Sequence, residues 1–332
     1  MTHKKRPIGM VDIARLAGVS RPTVSRALQG SPLVNEETKE RIREIALRHG
    51  YIVNRSAQNL RRKRNNVIAV VIDFPHLPES RISDPFHFEL LGNISNELAN
   101  QGQDVLLCST QSVHSEPLEQ MLSSKGVDGI IFLGQSGEEG ELTSLANNGV
   151  PFVVWGAEPQ KKEYCVVGSN NKRGGKLVAK RFTELGRTSA MFVGPDDHDE
   201  MKLRFSGFSS EWKGALEELA VKDISFQSSR DAVLHWLDSH DWHPDAIFAG
   251  SDTMAIGVLS ALKAKGLSIP SDCTVCGYDD SPISIYHSPS LTTVKQDTSA
   301  AGILLVAKLM KIIEGEIQES EMLRTELIER ET

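Results

Sequence analysis

The sequence predicts a small all-α head followed by a larger α/β body built on parallel sheets. Three observations carry this expectation. Basic charge is concentrated in the first 64 residues. The same residues hold three short helical patterns. From Val67 onward, near-continuous apolar runs alternate with stretches of helical length and period, which is how parallel sheets covered on both faces read.

The chain has 332 residues, 39% hydrophobic and 24% charged, enough material for two or three cores. Its net charge of −7 hides an asymmetry. Residues 1–64 carry fifteen Lys/Arg against five Asp/Glu, a net +10, and the remainder carries a net −17. A basic head on an acidic body fits a polyanion-binding module joined to something that does not bind polyanions. The start, MTHKKRPIGMVDIARLAG, has basic residues with no apolar run behind them, and no stretch approaches the roughly 20 apolar residues of a membrane span, so the expected location is the cytoplasm. Cys108, Cys165, Cys273 and Cys276 are too few and too scattered for a disulfide framework. Cys273 and Cys276 fall in CTVCGY, a strand pattern that points residues three apart to opposite faces.

In the head, Met10 to Ala17 forms the first helical pattern and Gly18-Val19 a tight turn. Ser20 stands as the N-cap of the next helix. Pro22 falls in that helix's first turn, where its missing N–H costs nothing. Arg21, Pro22, Ser25, Arg26 and Gln29 share one face, while Val24 and Ala27 point the other way. Small Ala14, turn-forming Gly18 and apolar Val24 have the spacing of a helix-turn-helix unit, whose second helix enters the major groove of DNA. A third helix is expected from about Glu36 to His49, capped by Asn35, with Ile42, Ile45 and Ala46 on one face. VNRSAQNLRRKRNN is too polar to fold alone and reads as a linker or conditional helix.

The body's strands are VIAVVID, DVLLC, GIIFLG and PFVVWG in a first group and SAMFVG, AIFAGS and CTVCGYD in a second. Phe86–Gln101, Lys172–Leu185, Arg204–Leu219 and Thr253–Lys265 have helical length and period. Ligands of such sheets sit at the carboxyl ends of the strands.

VDIARLAGVSRPTVSRALQGSPLVNEETKERIREIALRHGY resembles the DNA-binding headpiece of the lactose/galactose repressor (LacI/GalR) family, centred on A-G-V-S-x-x-T-V-S-R. NRSAQNL resembles the family's hinge helix, and IIFLG, VPFVVWG, RFSGF, GSDTMAIG, VCGYDDSPIS and LTTVKQD its ligand-binding core. The resemblance implies a helix-turn-helix headpiece over 1–52, a hinge over 53–66 and a periplasmic-binding-protein-like core over 67–332. That core has two Rossmann-like lobes, about 67–167 with 298–324 and about 168–297 with 325–332, joined by crossovers near 166–169, 294–298 and 324–326.

By the same resemblance, Ser20, Arg21, Pro22, Thr23, Ser25 and Arg26 belong to the DNA-binding surface. Arg21 and Pro22 take the positions that vary with operator sequence, and Arg26 the more constant arginine. Pro22 is limited to apolar contact, so more of the base reading falls to Arg21. Asn54 and Leu60 belong to the hinge, Leu60 as the wedge inserted into the minor groove, and Arg62 in the run Arg61–Arg64 contacts phosphate. Val53 departs from the proline that many members carry before the asparagine.

In the core, the resemblance points to Arg204, Ser251, Asp279 and Gln296 as polar effector contacts, with Phe86 and Trp155 as an aromatic wall. Arg204 and Asp279 are expected to oppose each other across the cleft, an arrangement suited to a neutral polyol. Gly156 stands where some sugar-responsive members have an aspartate, and Thr298 where some have an aromatic. The stretch FPHLPESRI before Ser83 is expected at the cleft mouth, either touching a longer ligand such as a disaccharide or as a solvated loop.

DDHDE at 196–200 lacks the spaced pattern of a metal loop, and neither a Walker loop, a nucleophile elbow nor H-E-x-x-H appears, so no enzyme activity, metal or cofactor is expected. The closing LRTELIERET has no leucine heptads behind it, which points to a homodimer rather than a tail-bound tetramer. The expected protein is a cytoplasmic transcriptional regulator, a repressor of carbohydrate genes controlled by a mono- or disaccharide and acting on double-stranded operator DNA. A regulator responsive to a purine or another metabolite and an architectural DNA-binding protein are the alternatives.

Overall fold

The computed structural model describes residues 8–28, 30–51, 65–72, 84–109, 126–134, 139–158, 163–241 and 243–332. The chain divides into two compact units, residues 1–65 and 66–332.

The first unit contains α1 (Met10–Ala17), α2 (Arg21–Leu28) and α3 (Glu36–Arg48). Their lengths follow from local signals. Gly18, with φ of 63°, ends α1 in the left-handed conformation that glycine adopts without strain. The Ser20 hydroxyl accepts the backbone N–H of Thr23 at 3.3 Å and caps α2, and the Asn35 side chain accepts that of Thr38 at 2.9 Å and caps α3. Ile13, Ala14, Ala17, Val24, Ala27, Val34 and Ile42 form one small core, with Ile45 packed at its margin.

The second unit contains two six-stranded sheets. The first sheet runs β11-β5-β4-β3-β1-β2, from β1 (Val67–Ile72), β2 (Asp104–Ser109), β3 (Gly129–Leu133), β4 (Phe152–Trp155), β5 (Val166–Ser169) and β11 (Glu321–Leu323). All its pairings are parallel. The second runs β12-β10-β9-β8-β6-β7, from β6 (Ser189–Gly194), β7 (Ala215–Ala220), β8 (Ala246–Ala249), β9 (Thr274–Asp279), β10 (Thr292–Lys295) and β12 (Glu326–Ile328). Among the described residues only β12 pairs antiparallel, with β10.

Side chains alternate along β1 to two separate cores. Ile68, Val70 and Ile72 meet Leu90, Ile94 and Leu98 of α4 (Pro85–Asn100) and Leu305, Val306 and Leu309 of α11 (Thr298–Ile313). Ala69 and Val71 meet Phe132, Phe152 and Leu145, the last from α5 (Glu139–Asn147). Burial on both faces is why these strands read as unbroken apolar runs. In the second lobe, α6 (Asn171–Glu184), α7 (Asp199–Glu211), α8 (Phe226–Ser239) and α9 (Asp252–Ala264) cover the sheet over one continuous core. The short α10 (Pro282–Tyr286) follows β9. The chain passes between the two sheets at 170–188, 296–320 and 324–325.

The expectation of one helix over Arg204–Leu219 is corrected. The helix ends at Glu211, and Ala215–Ala220 is an edge strand parallel to β6. Gly214 sits where an added Cβ would lie 2.1 Å from the Thr188 carbonyl oxygen, and the Trp212 indole donates to the Ala215 carbonyl at 3.0 Å, so the chain is pinned into sheet register. An edge strand exposed along much of its length carries no unbroken apolar run, which is why ALEELA mimics a helix turn. Cys273 and Cys276 are both buried free thiols, as the strand pattern implied. Among the described residues no helix is long and apolar enough to cross a membrane.

In the second lobe α6 and α7 approach each other backbone to backbone. A Cβ on Gly175 would lie 2.0 Å from the Arg204 carbonyl oxygen, and one on Gly207 would lie 2.0 Å from that of Lys172. Gly175→Ala is therefore expected to destabilise the core by about 3 kcal/mol or more in urea denaturation, since backbone must move to admit the methyl. Gly92→Ala, in α4 with open space around it, is expected to stabilise by about 0.5–1 kcal/mol. Equal effects would show that the α6–α7 approach is not a constraint.

Candidate functional site

In the head, the turn between α1 and α2 decides which face of α2 is free. The Val19 backbone N–H donates to the Ala14 carbonyl at 3.0 Å, and that of Val24 to the Ser20 carbonyl at 3.1 Å, so α2 starts at a fixed angle to α1. Val24 and Ala27 are fully buried. Ser20, Arg21, Pro22 and Arg26 are exposed, with Thr23 and Ser25 half-buried beside them. Arg15 is committed to Asp12 at 3.1 Å. Asn54, Leu60, Arg62 and FPHLPESRI lie outside the described residues, as does Gln29.

In the second unit the side chains expected to contact an effector lie toward the carboxyl ends of the strands. Arg204, on α7, is 5% exposed. Its Nε donates to Asn171 Oδ1 at 2.9 Å, its Nη1 donates to the Gly250 carbonyl, and its guanidinium lies 3.7 Å over the Tyr278 ring. Asp279, at the end of β9, adopts a φ of 122°, a strained conformation for a residue with a Cβ. The Gln296 amide donates to its Oδ1 at 2.7 Å. Burial pushes the Asp279 carboxyl well above the ordinary range; Arg204 and the Gln296 bond oppose this, while Asp84 and Asp252 reinforce it. Asp84, at the start of α4 in the first lobe, accepts the Phe86 backbone N–H at 3.3 Å and pairs with His87 Nδ1 at 2.9 Å.

Arg204 and Asp279 thus do not oppose each other across the cleft. Both rise from the second sheet's side, because α7 and β9 belong to the same lobe. The first lobe contributes Phe86 and Trp155, with ring centroids 5.8 Å apart and planes at 41°, both buried in its core. Ser251 is buried and caps α9, accepting the Met254 N–H at 3.2 Å, which leaves its hydroxyl hydrogen to donate elsewhere. Thr298 donates to Glu89 at 2.8 Å and accepts from Asn93 at 3.2 Å, joining α11 to α4.

Sequence reasoning missed Asn171, Tyr278 and Asp252. Asp252 is fully buried and accepts from Thr293 Oγ1 at 2.5 Å, the Ser281 N–H at 2.8 Å and the Ser281 hydroxyl at 3.0 Å. Three donors around one acid hold the starts of α9 and α10 against β10. No local signal pairs Asp252 with Ser281 and Thr293, which stand 29 and 41 positions away along the chain. Among the described residues no group of three metal-ligating side chains is present.

The chain is similar to known proteins along its whole length. The bacterial regulatory proteins of the lacI family match residues 9–54, and a periplasmic binding protein-like domain matches 179–332. The HTH-type transcriptional regulator CelR of Thermobifida fusca is 30% identical, with 100% of both chains covered. The chain belongs to the lacI family. This lacI-family chain is also 27% identical to the ribose operon repressor of Escherichia coli, covering 96% of this chain and 97% of that one. Among solved structures, a CelR–cellobiose complex matches with a TM-score of 0.71 at 27% identity over 98% of this chain and 99% of that one. A lac repressor dimer bound to operator shares the fold, with a TM-score of 0.83 at 24% identity over 98% and 99% of the two chains. As a lacI-family member with the helix-turn-helix head and two-lobed core in place, the protein is a DNA-binding transcriptional regulator.

Burial pushes the Asp252 carboxyl up to about 7, while its three donors pull the other way. In the unfolded chain it titrates near about 3.9. Between those values the folded chain holds the extra proton, so this group's contribution to stability is fully present below about 4 and is lost as pH rises to about 7. Asp252→Asn is expected to remove that contribution, shrinking the loss of stability between pH 5 and pH 8 measured by urea denaturation. An unchanged pH profile in the variant would place the titration elsewhere.

Proposed function

We propose that the chain is a sugar-responsive repressor that binds a near-palindromic operator as a homodimer in the cytoplasm and takes a mono- or disaccharide in the cleft of its core. The observation that carries this reading is the pairing of an oriented guanidinium with a carboxyl group at the strand ends of one lobe. Arg204 can donate to a hydroxyl that donates in turn to Asp279, and a neutral polyol offers several such hydroxyls. Ser251 and Gln296 add polar contacts beside them, and Phe86 and Trp155 close the site from the first lobe. The CelR–cellobiose complex and a ribose-bound LacI family transcriptional regulator from Enterococcus faecium, 26% identical with a TM-score of 0.67, support the carbohydrate class.

On DNA, Arg21 and Arg26 read base edges from α2, while Ser20, Thr23 and Ser25 contact the backbone and Pro22 makes apolar contact. Asn54 and Leu60 serve the hinge, and Arg62 binds phosphate. Ligand changes operator affinity only as far as it distinguishes the two arrangements of the lobes. The reading as a regulator rather than an enzyme rests on the regulators that the chain resembles.

A thermal-shift screen with neutral mono- and disaccharides, cellobiose and ribose among them, and with purine bases tests the effector class. A sugar at a hundred times its Kd is expected to stabilise by about 2.7 kcal/mol. Response to a purine alone would overturn the carbohydrate reading. Arg204→Ala and Asp279→Ala are each expected to abolish the sugar's effect on operator binding while leaving the sugar-free affinity within about twofold, because each strands a buried hydroxyl. Full response in either variant at the wild-type sugar concentration would show that the effector lies elsewhere.

For DNA, Arg21→Ala or Arg26→Ala is expected to cost about 1–3 kcal/mol on the best operator and to relax preference at a few base pairs. Binding titrations on single-base operator variants check this. A uniform loss on every sequence would reduce both to phosphate contacts.

A further inference from the structure

We infer that Asn171 determines the charge class of ligand the cleft accepts: by holding the Nε–H of Arg204 it closes the guanidinium's side-on fork, turning away carboxylates and phosphates and leaving single donors for hydroxyls. This rests on the proposed place of Arg204 in the effector site.

An arginine recognises an anion best through two parallel N–H groups. One such fork is Nε with Nη2, the other Nη1 with Nη2. Here Nε is committed to Asn171 Oδ1 at 2.9 Å, and Nη1 is shared with the Gly250 carbonyl. Among the described residues nothing binds Nη2. Asn171 is 3% exposed and Arg204 5%, so water does not compete for this bond. The guanidinium plane is fixed from below by the Tyr278 ring at 3.7 Å. These partners come from α6, β9 and the residue after β8, so one whole lobe sets the orientation.

The contact exists because of the two glycines between α6 and α7. Without room for a Cβ at Gly175 and Gly207, the helices approach backbone to backbone, and the first residue of α6 reaches the middle of α7. The surroundings reinforce the choice. Asp279, Asp84 and Asp252 all act on the same region, so ionising a further acid there is disfavoured by burial and by its neighbours.

Asn171 is therefore a positioning residue, and its removal is expected to change selectivity as well as affinity. Asn171→Ala frees the Nε–H; Asn171→Asp keeps an acceptor of the same shape. The first measurement needs no effector. The side-chain Nε–H resonance of Arg204 is assigned by its loss in Arg204→Lys and followed in the intact protein. In the wild type and in Asn171→Asp it is expected to exchange slowly with solvent and not to shift with inorganic phosphate. In Asn171→Ala it exchanges faster and shifts as phosphate is added.

The second measurement compares cellobiose with cellobionate and ribose with ribose 5-phosphate by calorimetry. The wild-type preference for the neutral member is expected to fall about tenfold in Asn171→Ala and to persist in Asn171→Asp. A fast-exchanging or phosphate-sensitive Nε–H in the wild type overturns the inference even if Asn171→Ala does not fold. So does wild-type selectivity retained in Asn171→Ala, or equal loss in both variants. If the wild type binds neither neutral sugar while phosphate moves Arg204 only in Asn171→Ala, the carbohydrate reading fails and the role of Asn171 stands.

Discussion

The backbone-to-backbone approach of α6 and α7 is the constraint on which the effector lobe depends. Glycine is required at Gly175 and Gly207 because a Cβ at either would overlap a carbonyl oxygen, so the two helices cross at a distance no other residue allows. That distance brings Asn171 to Arg204. Gly174, in the same helix, lies where a Cβ would meet the Tyr278 hydroxyl at 2.5 Å, so the tyrosine under the guanidinium is held by the same close packing.

A second organising element is the buried Asp252. It satisfies both the Ser281 backbone N–H and two hydroxyls from separate segments, so the loops at the ends of β8 and β9 share one acceptor. Next to it, Asp280 takes Arg330 Nη2 at 2.5 Å, while Arg330 Nη1 donates to the Leu291 carbonyl at 2.8 Å. Asp279 sits between these two fixed points in a strained backbone conformation. Its carboxyl group is thereby aimed rather than free to turn, a common arrangement where a site is preorganised. Gln296, at the passage back to the first lobe, holds the same carboxyl group, and Thr298 two residues later is bonded to α4. Asp279 is therefore joined through Gln296 and Thr298 by a run of hydrogen bonds that reaches α4 of the first lobe.

The head was legible almost residue by residue because its signals are local. Gly18, Ser20, Pro22 and Asn35 act within one helical turn of where they stand, and the apolar spacing of Val24 and Ala27 fixes the buried face. Most body strands were legible for a related reason: burial on both faces leaves runs such as VIAVVI that suit little else. β7 was not. Its alternation is diluted by exposure, and its strand state depends on Gly214, Trp212 and the neighbouring β6, which lie beyond any local window. The candidate site divides in the same way. Arg204, Asp279 and Gln296 could be picked out through motif resemblance, and the lobe bounds it implied, 168–297, contain all three; the expectation that Arg204 and Asp279 oppose each other across the cleft went against those bounds.

The sequence by itself determined that a basic three-helix head precedes an α/β body, which faces of the short helices are buried, and which polar residues end the apolar strands. These properties depend on periodicity and capping, whose range is a few residues. Only the tertiary structure decided that Asn171 holds one edge of the Arg204 guanidinium and that Asp252 gathers Ser281 and Thr293 around one buried acid. Those relations join residues between 29 and 41 positions apart through helix crossing and sheet order, and sequence spacing carries no record of either.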